Sequence, residues 1–155
     1  MTPAILELID LKVPIVFDID GCLAPYEFGD GFHNICSNDN WDSYIESYDP
    51  YESIVPSKTL QDLIKHLGME NVWVCSRVSS KREQDIKIKF CKEKYGIPED
   101  HVKFVTEKLE KLVVIQQLKS KDAEIICVED SIDTLDYIQK HDSKIHTVHI
   151  SSFLL

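Results

Sequence analysis

Four short, mainly apolar runs recur along the chain, at 15–17, 72–75, 102–105 and 125–128, and an alternating, edge-like segment follows at 145–150. Helix-like stretches fill most of the spaces between them. Leu60, Leu63, Ile64 and Leu67 fall at i, i+3, i+4 and i+7 before Gly68, which is the spacing of one buried helix face and a stop. Ser80 with Glu83 opens a segment running to about Tyr95 and closed by Gly96-Ile97-Pro98. Thr106 is placed to cap the next helix, with Leu109, Leu112 and Val113 on its core face. Ile132, Leu135 and Ile138 form the inward side of another. A short helix is also expected within 2–12. Strand followed by helix, repeated, calls for a mostly parallel sheet with helices on both faces. The expected fold is therefore a three-layer, Rossmann-like α/β domain over 1–155.

One segment breaks the pattern. Residues 24–57 hold seven of the fourteen aromatic residues (Tyr26, Phe28, Phe32, Trp41, Tyr44, Tyr48 and Tyr51) and show little period. A helix around 41–48, capped by Asn40, is the regular element expected there. So long an irregular stretch between two regular elements reads as a lid or binding insert within the domain.

Charge narrows the partners. The formal net charge is −10, and a general nucleic-acid binder needs basic surface to displace counterions. From 13 to 57 there is no Lys or Arg, against nine Asp or Glu residues. Nucleic acid is therefore disfavoured as a partner. No apolar run approaches the ~20 residues of a membrane span. The first twelve residues carry Glu7 and Asp10 and do not read as a signal peptide. The five cysteines, Cys22, Cys36, Cys75, Cys91 and Cys127, are odd in number and lack metal-site spacing. They suggest free thiols in a reducing cytoplasm, with Cys22, Cys75 and Cys127 as small buried residues.

Polar residues gather where the apolar runs end. The first run stops at Asp18 and Asp20, the second at Ser76-Arg77, and the fourth at Glu129-Asp130-Ser131. Lys108 and Lys111 follow the third. In a parallel sheet these carboxyl ends share one edge, where ligands bind. Two carboxylates one residue apart repel unless a cation lies between them. Such a set suits phosphoryl chemistry. One carboxylate can attack and another can move a proton. An all-oxygen donor set suits Mg²⁺, and a hydroxyl with an ammonium can hold phosphate oxygens.

These residues resemble the four motifs of the haloacid dehalogenase superfamily of phosphatases. The first motif stands as Phe17-Asp18-Ile19-Asp20-Gly21-Cys22-Leu23. The second stands as Val74-Cys75-Ser76-Arg77, the third as Lys108 or Lys111, and the fourth as Val128-Glu129-Asp130-Ser131. The motifs occur in order over most of the chain. The resemblance implies that Asp18 is a nucleophile forming an aspartyl-phosphate and that Asp20 is the acid/base, with its backbone carbonyl on Mg²⁺. It implies that Ser76 and a lysine bind the phosphoryl group. Asp130 would complete the Mg²⁺ site, with Glu129 a ligand or a neighbour of one. A second Asp at the acid/base position is a feature of the phosphatases in that superfamily.

The insert lies where the family places its first cap, and it is short for one. A small lid, the acidic surface and the aromatics favour a small phosphorylated metabolite or nucleotide as substrate. Two alternatives remain open at this stage. One is a non-catalytic phosphate-ligand or partner-binding module on the same fold. The other is a phosphotransferase or mutase. Taken singly, the motifs have plainer readings: Ser76 as a helix cap, either lysine as a solvated side chain, Glu129 and Asp130 as company for a helix N-terminus. His146 and His149 read as structural or solvated.

Overall fold

The first strand, β1 (Ile15–Phe17), is three residues long and wholly buried. Its neighbours in the sheet are β2 (Val72–Arg77) on one side and β4 (Ile125–Glu129) on the other. β3 (Val102–Val105) pairs with β2, and β5 (Ile145–His149) pairs with β4. Every pairing is parallel, and the order is β3-β2-β1-β4-β5. These relations come from a computed structural model that describes residues 1–26 and 38–154, with Asn38 and Asp39 described by their backbone only. Phe28, Phe32 and Cys36, singled out in the sequence, lie outside the described residues.

The helices are α1 (Pro3–Asp10), α2 (Asn38–Ser47), α3 (Lys58–Leu67), α4 (Lys81–Tyr95), α5 (Lys111–Leu118) and α6 (Ile132–His141). Alternation along β1 divides the core in two, because successive side chains of a strand face opposite ways. Ile15 and Phe17 pack with Leu60 and Ile64 of α3 and with Ile86 and Phe90 of α4. Val16 packs with Leu112 and Ile115 of α5 and with Ile138 of α6. The result is the expected three-layer α/β sandwich. No helix of the described residues is long and apolar enough to cross a membrane.

The strand order reverses between β1 and β4. The chain leaves β1 toward β2 and returns from β3 to β4 across the opposite face. Such a reversal opens a crevice beyond the strand ends, where loops diverge instead of covering one another. Asp18 sits at that point, its N–H donating to the Val128 carbonyl at 3.0 Å.

Local sequence accounts for most helix ends. Thr2, Ser57, Ser80 and Ser131 each accept a backbone N–H of the first turn of α1, α3, α4 and α6. Gly96, at φ +71°, closes α4 in the left-handed conformation that only glycine adopts without strain. Four expectations fail. α2 begins at Asn38, so Asn40 lies inside the helix and is not its cap. Thr106 does not cap α5, because a 3₁₀ turn over Lys108–Glu110 intervenes and α5 starts only at Lys111. That turn shifts the helical phase. Leu109 and Val113, expected in the core, are 54% and 55% exposed, while Lys111 takes an inward position at 3%. Ile132, in the first turn of α6 beside its Ser131 cap, is 72% exposed where burial was expected.

The described part of the insert lies over α4. Tyr95 donates its hydroxyl to the Leu23 carbonyl at 2.8 Å and accepts from the Ser57 N–H at 3.0 Å. One tyrosine on the scaffold thus pins both ends of 24–57. Arg82 Nε donates to the Ile45 carbonyl at 2.7 Å, and Lys94 Nζ to the Glu52 carbonyl at 3.0 Å. Ile45, Tyr51 and Ile54 are buried in the same core as α3 and α4. Part of this aromatic stretch is therefore core.

Candidate active site

The turn after β1 separates the two carboxylates. In a continuing strand, residues two apart would share a face. The strand ends at Phe17, and Ile19 and Gly21 make a tight turn through hydrogen bonds with Cys22 and Ala24. Asp18 is left facing α5, and Asp20 faces α4.

Asp18 Oδ1 accepts the Ile19 N–H at 2.8 Å and lies 3.1 Å from Lys111 Nζ. Among the described residues, Oδ2 has no such partner. Lys111 Nζ also meets Glu129 Oε1 at 2.5 Å. Glu129 Oε2 accepts the N–H groups of Asp130 and Ser131, at 2.9 and 3.0 Å, and so organises the loop that leads into α6. Burial raises the Asp18 carboxyl from the ordinary 3.8 to about 6; Lys111 opposes the rise, and the charges of Glu129 and Asp20 add to it. Burial alone would lower the Lys111 pKa, but Asp18 and Glu129 outweigh it, and the ammonium is held well above its ordinary value.

Of the two candidate lysines, Lys111 is the one at the carboxylates, while Lys108 is exposed in the 3₁₀ turn. One carboxylate oxygen from each of Asp18, Glu129 and Asp130 lies within 4.8 Å of the others. An all-oxygen set of that size suits a hard divalent cation such as Mg²⁺, which keeps several waters and needs few protein ligands. Both Glu129 oxygens already hold other groups, so Asp18 and Asp130 are the better-placed ligands. Asp20 stands outside this carboxylate cluster.

Gly21 explains how Asp130 comes so close. It sits at φ +81°, and a Cβ built on it would lie 2.2 Å from Asp130 Oδ2 and 2.8 Å from the Tyr26 ring. Only a residue without a side chain leaves room for the carboxylate and the ring. Tyr26, 40% exposed, hydrogen-bonds Asp130, and its hydroxyl is pushed well above the usual range by burial and by the charges of Asp130, Asp20 and Asp18.

Asp20 has its own surroundings. Oδ1 accepts the Tyr51 hydroxyl at 2.6 Å, and Oδ2 pairs with Lys87 Nζ at 2.8 Å. Lys87 also pairs with Glu83 Oε1 at 3.0 Å and donates to Ser76 Oγ at 3.1 Å and to the Arg77 carbonyl at 2.8 Å. Ser76 is buried near the end of β2.

Sequence reasoning missed three members of this neighbourhood. Lys87 carries a signal in hindsight: it lies one turn beyond Glu83, in phase with the apolar Cys91. Tyr51 was counted only among the insert's aromatics. His149, read as structural or solvated, donates Nε2–H to the Asp130 carbonyl at 3.1 Å, and its Nδ1 contacts Ser151 Oγ at 2.7 Å. The four described cysteines are all buried and free. Burial pushes the Cys75 and Cys91 thiols up to about 12, which leaves them unreactive.

Fold and site together define a doubly wound α/β protein with a lysine-backed acidic site at its switch point. No family model matches the chain, and no curated protein matches it.

Proposed function

We propose that the chain is a Mg²⁺-dependent phosphomonoester hydrolase of the haloacid dehalogenase type, acting through an aspartyl-phosphate on Asp18. The observation that carries this reading is the contact of Asp18 with Lys111 beside Glu129 and Asp130 at the switch point. One Asp18 oxygen is anchored there, and the other is left to attack.

In the first half-reaction Asp18 attacks phosphorus, the bond from phosphorus to the ester oxygen breaks, and Asp20 gives its proton to the departing oxygen. In the second half Asp20 takes a proton from water. The resulting hydroxide attacks phosphorus, the bond to Asp18 breaks, and Asp20 is left protonated for the next cycle. Lys111 fixes Asp18 and offsets charge on the phosphoryl oxygens, and Ser76 donates a hydrogen bond to one of them. Asp18, Asp130 and the backbone carbonyl of Asp20 would hold Mg²⁺, which supplies further positive charge against those oxygens.

The substrate class we favour is a small phosphorylated metabolite or a nucleotide. The net charge of −10 and the acidic insert work against long polyanions, and Tyr26 offers a partly exposed ring next to Asp130. The test is phosphate release from a panel of phosphomonoesters, including p-nitrophenyl phosphate, with Mg²⁺ and with EDTA. Turnover that is lost in EDTA and in Asp18→Asn is the expected result. Turnover that survives either change overturns the proposal. Mg²⁺ and phosphate binding without any turnover would favour a binding module instead.

A further inference from the structure

Lys87 is the most fully buried ammonium among the described residues, at 0% exposure in the middle of α4. Its Nζ has four acceptors within 2.8–3.1 Å, one more than its three protons can serve at once: Asp20, Glu83, Ser76 and the Arg77 carbonyl. A buried ion pair is weak evidence for stability, since an apolar side chain of similar size commonly does as well. Position 87 adjoins Ile86, Phe90 and Cys91, where a leucine or methionine would serve the core. What the ammonium adds is direction. It joins Asp20, just past the end of β1, to Ser76, at the end of β2. Ser76 Oγ accepts from this ammonium and donates its own hydrogen to the Arg77 carbonyl at 3.5 Å.

The cluster continues outward. Glu83 Oε1 accepts from Trp41 Nε1 of α2 at 3.1 Å, and Glu83 Oε2 accepts from the Ser79 N–H at 3.1 Å. Tyr51 reaches Asp20 from the same insert. The insert is thus tied to Asp20 twice, directly through Tyr51 and through Trp41, Glu83 and Lys87.

We propose that Lys87 is the positioning residue for Asp20, and that Glu83 with Trp41 couples this position to the seating of the insert. The inference rests on the phosphatase reading above and adds a residue that the four motifs do not contain. Lys87 does not touch the reacting atoms. It holds the Asp20 carboxyl group where the leaving oxygen must collect its proton.

A leaving-group comparison tests this. kcat/KM reports phosphoryl transfer to Asp18 and is blind to later hydrolysis. An alkyl phosphate needs a proton on its departing oxygen; p-nitrophenyl phosphate does not. In Lys87→Met, kcat/KM for the alkyl phosphate falls on the order of 10²-fold, the scale of a lost proton donor. For p-nitrophenyl phosphate it falls by no more than about 3-fold, on the same accounting. Asp20→Asn shows the same selectivity in stronger form. Because methionine at 87 leaves Glu83 uncompensated in the core, the double variant E83Q/K87M is measured beside it. Equal losses on both esters in an active protein overturn the inference and leave the phosphatase reading standing. Failure of both variants to fold also overturns it, since Lys87 would then be structural. A wild-type protein that turns over neither ester overturns the phosphatase reading itself.

Discussion

Each of the two carboxylates after β1 is backed by a lysine and a glutamate, and the two backings are built differently. On the α5 side, Asp18, Lys111 and Glu129 come from three separate elements and meet only because the sheet brings strand ends together. On the α4 side, Lys87 and Glu83 lie one turn apart on a single helix, and Lys87 reaches Asp20 while Glu83 pairs with Lys87. The first group gathers at the ends of β1 and β4, whose residues are buried throughout. The second extends into the insert through Trp41 and Tyr51. Asp18 is therefore held by scaffold elements, while Asp20 is held by both the scaffold helix α4 and the insert.

The sharpest way to break this comparison is to remove charge on the α5 side. Asp18→Asn is expected to abolish turnover, a loss of at least ~10³-fold in kcat, because no other group replaces the nucleophile. The same variant is expected to melt higher than wild type in EDTA. Asp18 has its pKa raised in the folded state, so folding favours its neutral form. The stability tied to this group is complete below 3.8 and lost as pH rises through about 6. At pH 7.5 the asparagine recovers up to about 3 kcal/mol. Thermal unfolding with and without Mg²⁺ checks both halves, since the metal should raise the melting temperature of wild type and leave that of the variant unchanged. A variant that melts lower in EDTA at pH 7.5 would mean that Asp18 and Lys111 stabilise the fold more than burial costs it.

Lys111→Met comes next. It removes the cation that faces both Asp18 and the phosphoryl oxygens, and kcat/KM is expected to fall ~10²–10³-fold. The loss should be the same for alkyl and p-nitrophenyl esters, because Lys111 serves the phosphoryl group and not the leaving oxygen. Leaving-group selectivity in this variant would erase the distinction between the two sides. Stability should drop by about 3–5 kcal/mol, since Glu129 and Asp18 are left buried and unpaired.

Tyr51→Phe removes the 2.6 Å hydrogen bond to Asp20 on the α4 side. A bond to a charged acceptor is worth roughly 1.5–3 kcal/mol. Lys87 still holds the other Asp20 oxygen, so the lower end applies, and activity on an alkyl phosphate should fall by about 10-fold. Activity on p-nitrophenyl phosphate should fall less, as it does for Lys87. If Tyr51→Phe lowers both equally, the insert acts on substrate binding and not on Asp20.

The contrast between the two sides also marks what sequence could and could not reveal. The order of strands and helices was legible because each strand is short, β-branched and closed by a polar residue, and the sites at their ends followed from the parallel sheet. Which of Lys108 and Lys111 reaches the carboxylates was not, because it depends on where α5 begins. A 3₁₀ turn over Lys108–Glu110 is one residue-count away from a helical turn, and propensity does not separate them. Leu109 and Val113 were placed inward on that same phase error. Lys87 was hidden for a different reason. A lysine in the middle of a helix is nearly always solvated, and only the three-dimensional approach of Asp20 makes its burial tolerable. Ile132 was misplaced because the first turn of a helix at the sheet edge need not contact the core.

The smallest effect predicted is at Lys108, and it tests the assignment most cleanly. Lys108 and Lys111 are three residues apart, and both follow β3, so sequence alone leaves them equivalent. In the folded chain, Lys108 lies in an exposed turn whose charge is screened by water, while Lys111 is buried against Asp18 and Glu129. Exposed charges away from such contacts change stability within about 0.5 kcal/mol when removed. Lys108→Ala should therefore leave the melting temperature unchanged within error and kcat/KM for a small ester within about 2-fold, the equivalent of that energy. A loss comparable to that of Lys111→Met would mean that the turn rearranges when substrate binds and delivers Lys108 to the phosphoryl group. The α5 side would then be as mobile as the α4 side, and the contrast between a fixed nucleophile and an insert-coupled acid would fail.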